Sequence, residues 1–106
     1  MMKPQHTIKI NGEELDLYPI STLAEALGRS SATVRKWEVA GIIPDCLFRG
    51  PMGRRLYTEE QIRIIVECAE QSNVRSGYSI ANTNFTPRVV KRLEELHEYY
   101  LANMNK

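Results

Sequence analysis

Residues 23–44 read LAEALGRSSATVRKWEVAGIIP, and this stretch limits the fold more than any other in the chain. Leu23, Ala24 and Leu27 recur at helical spacing. Gly28 ends that helix, because glycine enters the left-handed C-cap conformation without steric cost. Ser30 or Ser31 offers a hydroxyl to the exposed amides that open a second helix over residues 31–40. In it Val34 and Trp37 share one face, while Thr33, Arg35 and Lys36 point elsewhere. Gly41 stops the helix and Pro44 prevents its resumption. Two short helices, a tight turn, an apolar back and a hydroxyl-and-cation front make a helix-turn-helix.

The net charge of +1 says nothing about a polyanionic partner, but its distribution does. Arg29, Arg35, Lys36, Arg49, Arg54 and Arg55 cluster in the middle quarter, opposed there only by Glu38 and Asp45. The flanking segments are balanced or acidic. Positive charge thus concentrates on the helix-turn-helix and just after it.

Upstream, residues 7–17 read as a hairpin. Ile8 and Ile10 alternate with polar residues, Asn11-Gly12 is a strong tight-turn signal, and Leu15 and Leu17 alternate on the return. Pro19 breaks the strand, and Ser21 or Thr22 is expected to cap the first helix, with Glu25 completing a capping box from Thr22. The ribbon is expected to cover one end of the core.

Downstream, residues 45–57 read DCLFRGPMGRRLY. Leu47 and Phe48 are strand-like, Gly50, Pro51 and Gly53 supply a turn, and 54–57 form a return strand. The result is a two-stranded wing carrying Arg49, Arg54 and Arg55, suited to phosphates or a minor groove. Tyr57 is expected at the wing base, its hydroxyl within reach of a phosphate. Thr58 and Gln61 fit a capping box for a third helix, whose apolar face holds Ile62, Ile65, Val66 and Ala69. Residues 72–85 are rich in Ser and Asn and read as a linker anchored by Tyr78, Ile80 and Phe85. Thr86-Pro87 opens a last helix with Val89, Leu93, Leu96 and Tyr100 on one stripe, flanked by Val90, His97, Leu101 and Met104. That helix either folds back on the domain or pairs with a second copy, and dimerisation is the favoured expectation.

Other chemistries find little footing. No Ser/His/Asp, Cys/His or paired-carboxylate arrangement suggests an enzyme, and Gly50-Pro51-Met52-Gly53 lacks the spacing and lysine of a phosphate loop. Cys46 and Cys68 form no zinc motif; Cys68 reads as a buried thiol and Cys46 as a loop thiol. No apolar run approaches the roughly 20 residues of a membrane span. A cofactor, a metal, a small-molecule effector and a membrane are therefore not expected, and the cytoplasm, including a bacterial nucleoid, is the expected location.

From residue 18 to about 71 the chain resembles the DNA-binding domain of the MerR-type winged-helix family, including its short phage excisionase-like members. The residues that carry the likeness are Tyr18, Ile20, Leu23-Ala24, Gly28-x-Ser30, Thr33-Val34-Arg35-x-Trp37-Glu38, Gly41-Ile42-Ile43-Pro44 and Arg55-Leu56-Tyr57-Thr58-x-x-Gln61-Ile62. The resemblance implies a helix-turn-helix, a wing and a supporting helix, binding DNA as a dimer. By position it implies that Arg35 contacts a phosphate or base edge, that Arg55 is the wing arginine, and that Ser30 caps the recognition helix. Lys36 falls where the regulators often have Tyr. Ala32 stands where they often have Arg, and Trp37 replaces a Tyr, as in the excisionase-like branch. The regulators' long dimer helix and ligand domain have no counterpart in these 106 residues.

The expected architecture is mainly α with small β elements, a MerR-like winged helix-turn-helix. An N-terminal hairpin extension covers 1–17, the DNA-binding domain 18–72, a linker 73–85 and a C-terminal amphipathic helix 86–106. The expected interface comprises Ser30, Ser31, Thr33, Arg35, Lys36, Arg49, Arg54, Arg55 and Tyr57, with Trp37 in the core. The first expectation for function is sequence-specific binding of double-stranded DNA by a small transcription regulator, acting as a homodimer or higher assembly. A phage-type excisionase, a terminase small subunit and a protein-binding adaptor are the alternatives.

Overall fold

The N-terminal hairpin and the wing form one sheet. The computed structural model describes residues 6–72 and 84–104. Strands β1 (His6–Ile10) and β2 (Glu13–Pro19) pair antiparallel, with Ile10 opposite Glu13. Asn11 and Gly12 between them have φ of 52° and 83°, the two left-handed residues that a tight hairpin twisting with its strands requires. Strands β3 (Phe48–Arg49) and β4 (Arg55–Thr58) form the wing. Strand β2 then pairs with β4, Leu17 opposite Thr58 and Pro19 opposite Leu56, giving the order β1-β2-β4-β3. The expected boundary after residue 17 therefore falls inside β2. Pairing with β4 buries Leu17 and Tyr18, which draws the hairpin into the wing's sheet.

Helix α1 (Ile20–Leu27) leads directly off Pro19, which is its N-cap, and no side chain caps it. This corrects the expected cap at Ser21 or Thr22: the sheet pairing at Pro19 already fixes the direction of entry. Gly28, at φ 69°, closes α1 as expected, with its N–H on Glu25 O and the Arg29 N–H on Ala24 O. Helix α2 (Ser31–Val39) is capped by Ser30, whose Oγ accepts from the Thr33 N–H at 3.2 Å. It ends in the same manner at Gly41 (φ 77°), where the Ile42 N–H reaches Trp37 O at 2.8 Å. Helix α3 (Glu59–Gln71) has the predicted reciprocal capping box: Thr58 Oγ1 accepts from the Gln61 N–H, and Gln61 Oε1 accepts from the Thr58 N–H.

The N-cap of helix α4 (Phe85–Asn103) is Asn84, two residues before the expected cap Thr86. Phe85 sets that start, being fully buried with its ring 5.4 Å from that of Trp37. Pro87 still lies in the first turn, where a missing N–H costs no helical hydrogen bond. The expected anchors Tyr78 and Ile80 lie outside the described residues.

Two apolar clusters hold these parts together. In one, Leu23, Val34, Trp37, Ile43, Ile65, Cys68, Phe85, Val89 and Leu93 pack between the helices. In the other, Ile10, Leu17, Phe48, Leu56 and Tyr100 pack under the sheet. Helix α4 spans both, from Phe85 beside the recognition helix to Asn103, whose carbonyl accepts from the Asn11 N–H in the hairpin turn at 3.0 Å. So α4 folds back on the domain. It also docks on the α3 cap: Tyr100 Oη is 2.8 Å from Thr58 Oγ1, and His97 Nε2 is 3.0 Å from Gln61 Nε2. Ile64 is buried as well as the predicted Ile62 and Ile65, because α3 meets α1, α4 and the sheet on different sides.

Candidate nucleic-acid interface

Helix α2 divides its side chains as an amphipathic recognition helix must. Val34, Trp37 and Glu38 are buried. Ala32, Arg35, Lys36 and Val39 fall at positions i, i+3, i+4 and i+7 and are all exposed. Ser30 and Thr33 pair their hydroxyls at 3.0 Å within the cap, and Ser31 is the half-buried first residue of the helix.

The cations of helix and wing converge. Arg35, Lys36 and Arg55 line a shallow recess of about 430 Å³ with Ala32, Val39 and Ala40. Arg35, Arg54 and Arg55 line a second, of about 310 Å³, with Pro19, Ile20 and Ser21. Arg35 and Arg55 are common to both, so the two recesses make one cationic face across α2, the start of α1 and the wing.

Glu38 builds that face from beneath, and sequence reasoning missed its role. Its side chain is 5% exposed. Oε1 accepts from Arg55 Nε at 2.9 Å and lies 3.4 Å from Arg49 Nη2. Oε2 accepts from the Cys46 N–H at 3.0 Å. A carboxylate buried this far requires such partners, since an unpaired one would be strongly penalised. Arg49 also donates from Nη1 to Gly53 O at 3.0 Å, bracing the wing turn. The signal was in the sequence: Glu38 lies four residues after Val34 on the apolar face, with arginines close downstream.

The cations of helix and wing therefore fall into two groups. Arg49 and Arg55 are engaged with Glu38. Arg35, Lys36 and Arg54 are exposed, and their side chains have neither a hydrogen bond nor an ion pair among the described residues. Arg29 stands apart, with its guanidinium 5.0 Å over the Trp37 ring. Trp37 is 6% exposed and belongs to the core as expected.

Tyr57 requires a correction. It is 4% exposed, its hydroxyl is enclosed, and burial pushes its phenol well above the ordinary range. It cannot reach a phosphate from there, because it packs into the helical cluster, while Arg55, two residues earlier on the same face of β4, turns its guanidinium to Glu38. Cys46 is half-buried; its thiol donates toward Phe48 O and Leu56 O across the wing strands, and burial raises its pKa. Cys68 is fully buried. Among the described residues no group of three or more His, Cys, Asp or Glu side chains could hold a metal ion, and no helix is long and apolar enough to cross a membrane.

A helix-turn-helix followed by an arginine-bearing two-stranded wing, with their cations on one face, defines a winged-helix DNA-binding domain. The sequence model of the MerR HTH family of regulatory proteins matches residues 18–83, more than half of the chain. The chain belongs to that family. No curated protein and no solved structure matches it.

Proposed function

We propose that this protein is a sequence-specific regulator of transcription that binds duplex DNA through the face shared by α2 and the wing. The observation that carries the reading is the convergence of Arg35, Lys36, Arg54 and Arg55 on adjoining recesses. Helix α2 enters the major groove, where Arg35 and Lys36 meet phosphates or base edges. The exposed Ala32 and Val39 beside them suit thymine methyls. The capped start of α2, with Ser30, Ser31 and Thr33, meets the backbone. Arg54 reaches a phosphate from the wing. Arg49 and Arg55 hold the wing in position against Glu38, and Arg55, bound there through Nε, keeps its two outer nitrogens for the DNA backbone.

One such domain offers a small interface, so tight and specific binding calls for two copies. Leu101 and Met104, three residues apart at the end of α4, are 59% and 40% exposed, and they supply an apolar surface for self-association.

Binding selection from a random duplex pool, followed by sedimentation with and without the enriched duplex, tests this reading. Enrichment of a defined, inverted-repeat site bound by a dimer is the expected result. Monomers that accumulate side by side on DNA would favour a recombination factor of the excisionase kind, and a ring would favour a packaging subunit. Failure to enrich any duplex would move the function to a protein-binding adaptor.

A further inference from the structure

The apex of the wing carries an apolar side chain where neither packing nor backbone preference favours one. Met52 is 96% exposed. Its φ of 61° and ψ of 23° are left-handed, a region that side chains bearing a Cβ occupy at a cost. Glycine or asparagine suits such a position better, and a fully exposed methionine gains no burial in return.

The apex is also firmly built. Gly50 N–H donates to Arg54 O at 2.8 Å and Gly53 N–H to Gly50 O at 3.1 Å. Arg49 braces Gly53 O, and Pro51 fixes the backbone next to Met52. A rigid hairpin thus holds one flexible, polarisable apolar side chain outward, with the cations Arg49 and Arg54 on its flanks. Phosphate contact alone would be served by lysine or arginine at the apex. A protruding apolar residue flanked by cations is the chemistry of a wedge that enters a minor groove and parts stacked bases.

We propose that Met52 is such a wedge: the wing tip enters the minor groove of duplex DNA and inserts the Met52 side chain between two adjacent base pairs. The pyrimidine–purine steps TA and CA unstack most easily, so the preferred insertion point is one of these, beside the groove that α2 occupies. The target site then carries a base-step preference that no hydrogen-bonding residue reads. This inference rests on the DNA-binding reading above and deepens it.

The test uses the full chain and a duplex enriched by binding selection. 2-Aminopurine replaces adenine at one position at a time, and its fluorescence reports local unstacking. Wild type brightens the probe several-fold at one step. Met52→Gly, which removes the side chain and relieves the left-handed strain, still binds by anisotropy but leaves every probe as in free DNA. Met52→Leu restores the brightening. Brightening that persists in Met52→Gly, or a bound wild type that brightens no probe, overturns the wedge and leaves the binding reading standing. Failure to enrich any duplex overturns both.

Discussion

Arg55 Nε donates to the buried carboxylate of Glu38 at 2.9 Å, tying the last turn of the recognition helix to the first residue of the returning wing strand. Helix and wing are thereby held at a fixed distance by one acid, which also takes the Cys46 amide. Glu38→Ala strands the Arg55 guanidinium, 21% exposed, without its partner and is expected to cost about 3–5 kcal/mol, the usual loss when half of a buried pair is removed. Arg49→Ala is expected to cost under about 1 kcal/mol, because that side chain is 45% exposed and its contact is longer. Urea denaturation of the two variants checks the ordering; equal losses would show that Glu38 does not depend on Arg55.

Phe85 is the hinge pin between α4 and the helix-turn-helix. Its ring is fully buried against Trp37, the chain's single tryptophan. Phe85→Ala should destabilise the fold by about 3–5 kcal/mol through lost burial and an unfilled cavity. Trp37 emission should shift to the red in the folded variant as water gains access. An unshifted spectrum with unchanged stability would mean that α4 does not dock as described.

His97 makes stability depend on pH. Gln61 uses its Oε1 on the Thr58 N–H, so its amide nitrogen faces His97 Nε2, which must accept and therefore be unprotonated. Burial likewise holds the imidazole below its ordinary value. As pH falls through about 6.5 the unfolded chain takes up a proton that the folded chain refuses. Stability contributed by this site is full above that value and declines as the pH drops toward the folded one. His97→Gln should flatten the wild-type decline between neutral and mildly acid pH, read as the difference between thermal midpoints across that range. Parallel curves would remove His97 as the cause.

The helix-turn-helix was legible because its signals are local. Gly28, Ser30, Gly41 and the Thr58–Gln61 pair each act over three or four residues, and all five perform the predicted backbone role. The wing followed from the turn residues between Phe48 and Arg55. Contacts between distant segments left weaker traces. Nothing local in residues 13–19 tells that β2 pairs with β4, since an edge strand and an inner strand of this length alternate alike. The Pro19 cap and the Phe85 start both follow from tertiary packing, which overrode the local preference for a hydroxyl cap. The Tyr57 hydroxyl suits a phosphate at the wing base, but packing against the helices encloses it, a contact between distant segments that the wing sequence does not announce. Glu38 was passed over as one acid among cations, though an acid on an apolar helical face calls for a partner.

The α2–wing face is proposed to bind duplex DNA through cations whose side chains have no partner among the described residues. The most direct measurement is the salt dependence of affinity for an enriched duplex, between about 50 and 200 mM, for wild type and Arg35→Ala/Arg54→Ala. Neither side chain has a partner among the described residues, so the fold should survive their loss. A steep wild-type decline with salt is expected, with a slope of log affinity against log salt shallower by about 2 units in the variant, one for each phosphate contact removed. A variant with the wild-type slope and affinity would contradict it and place the DNA contacts on another surface.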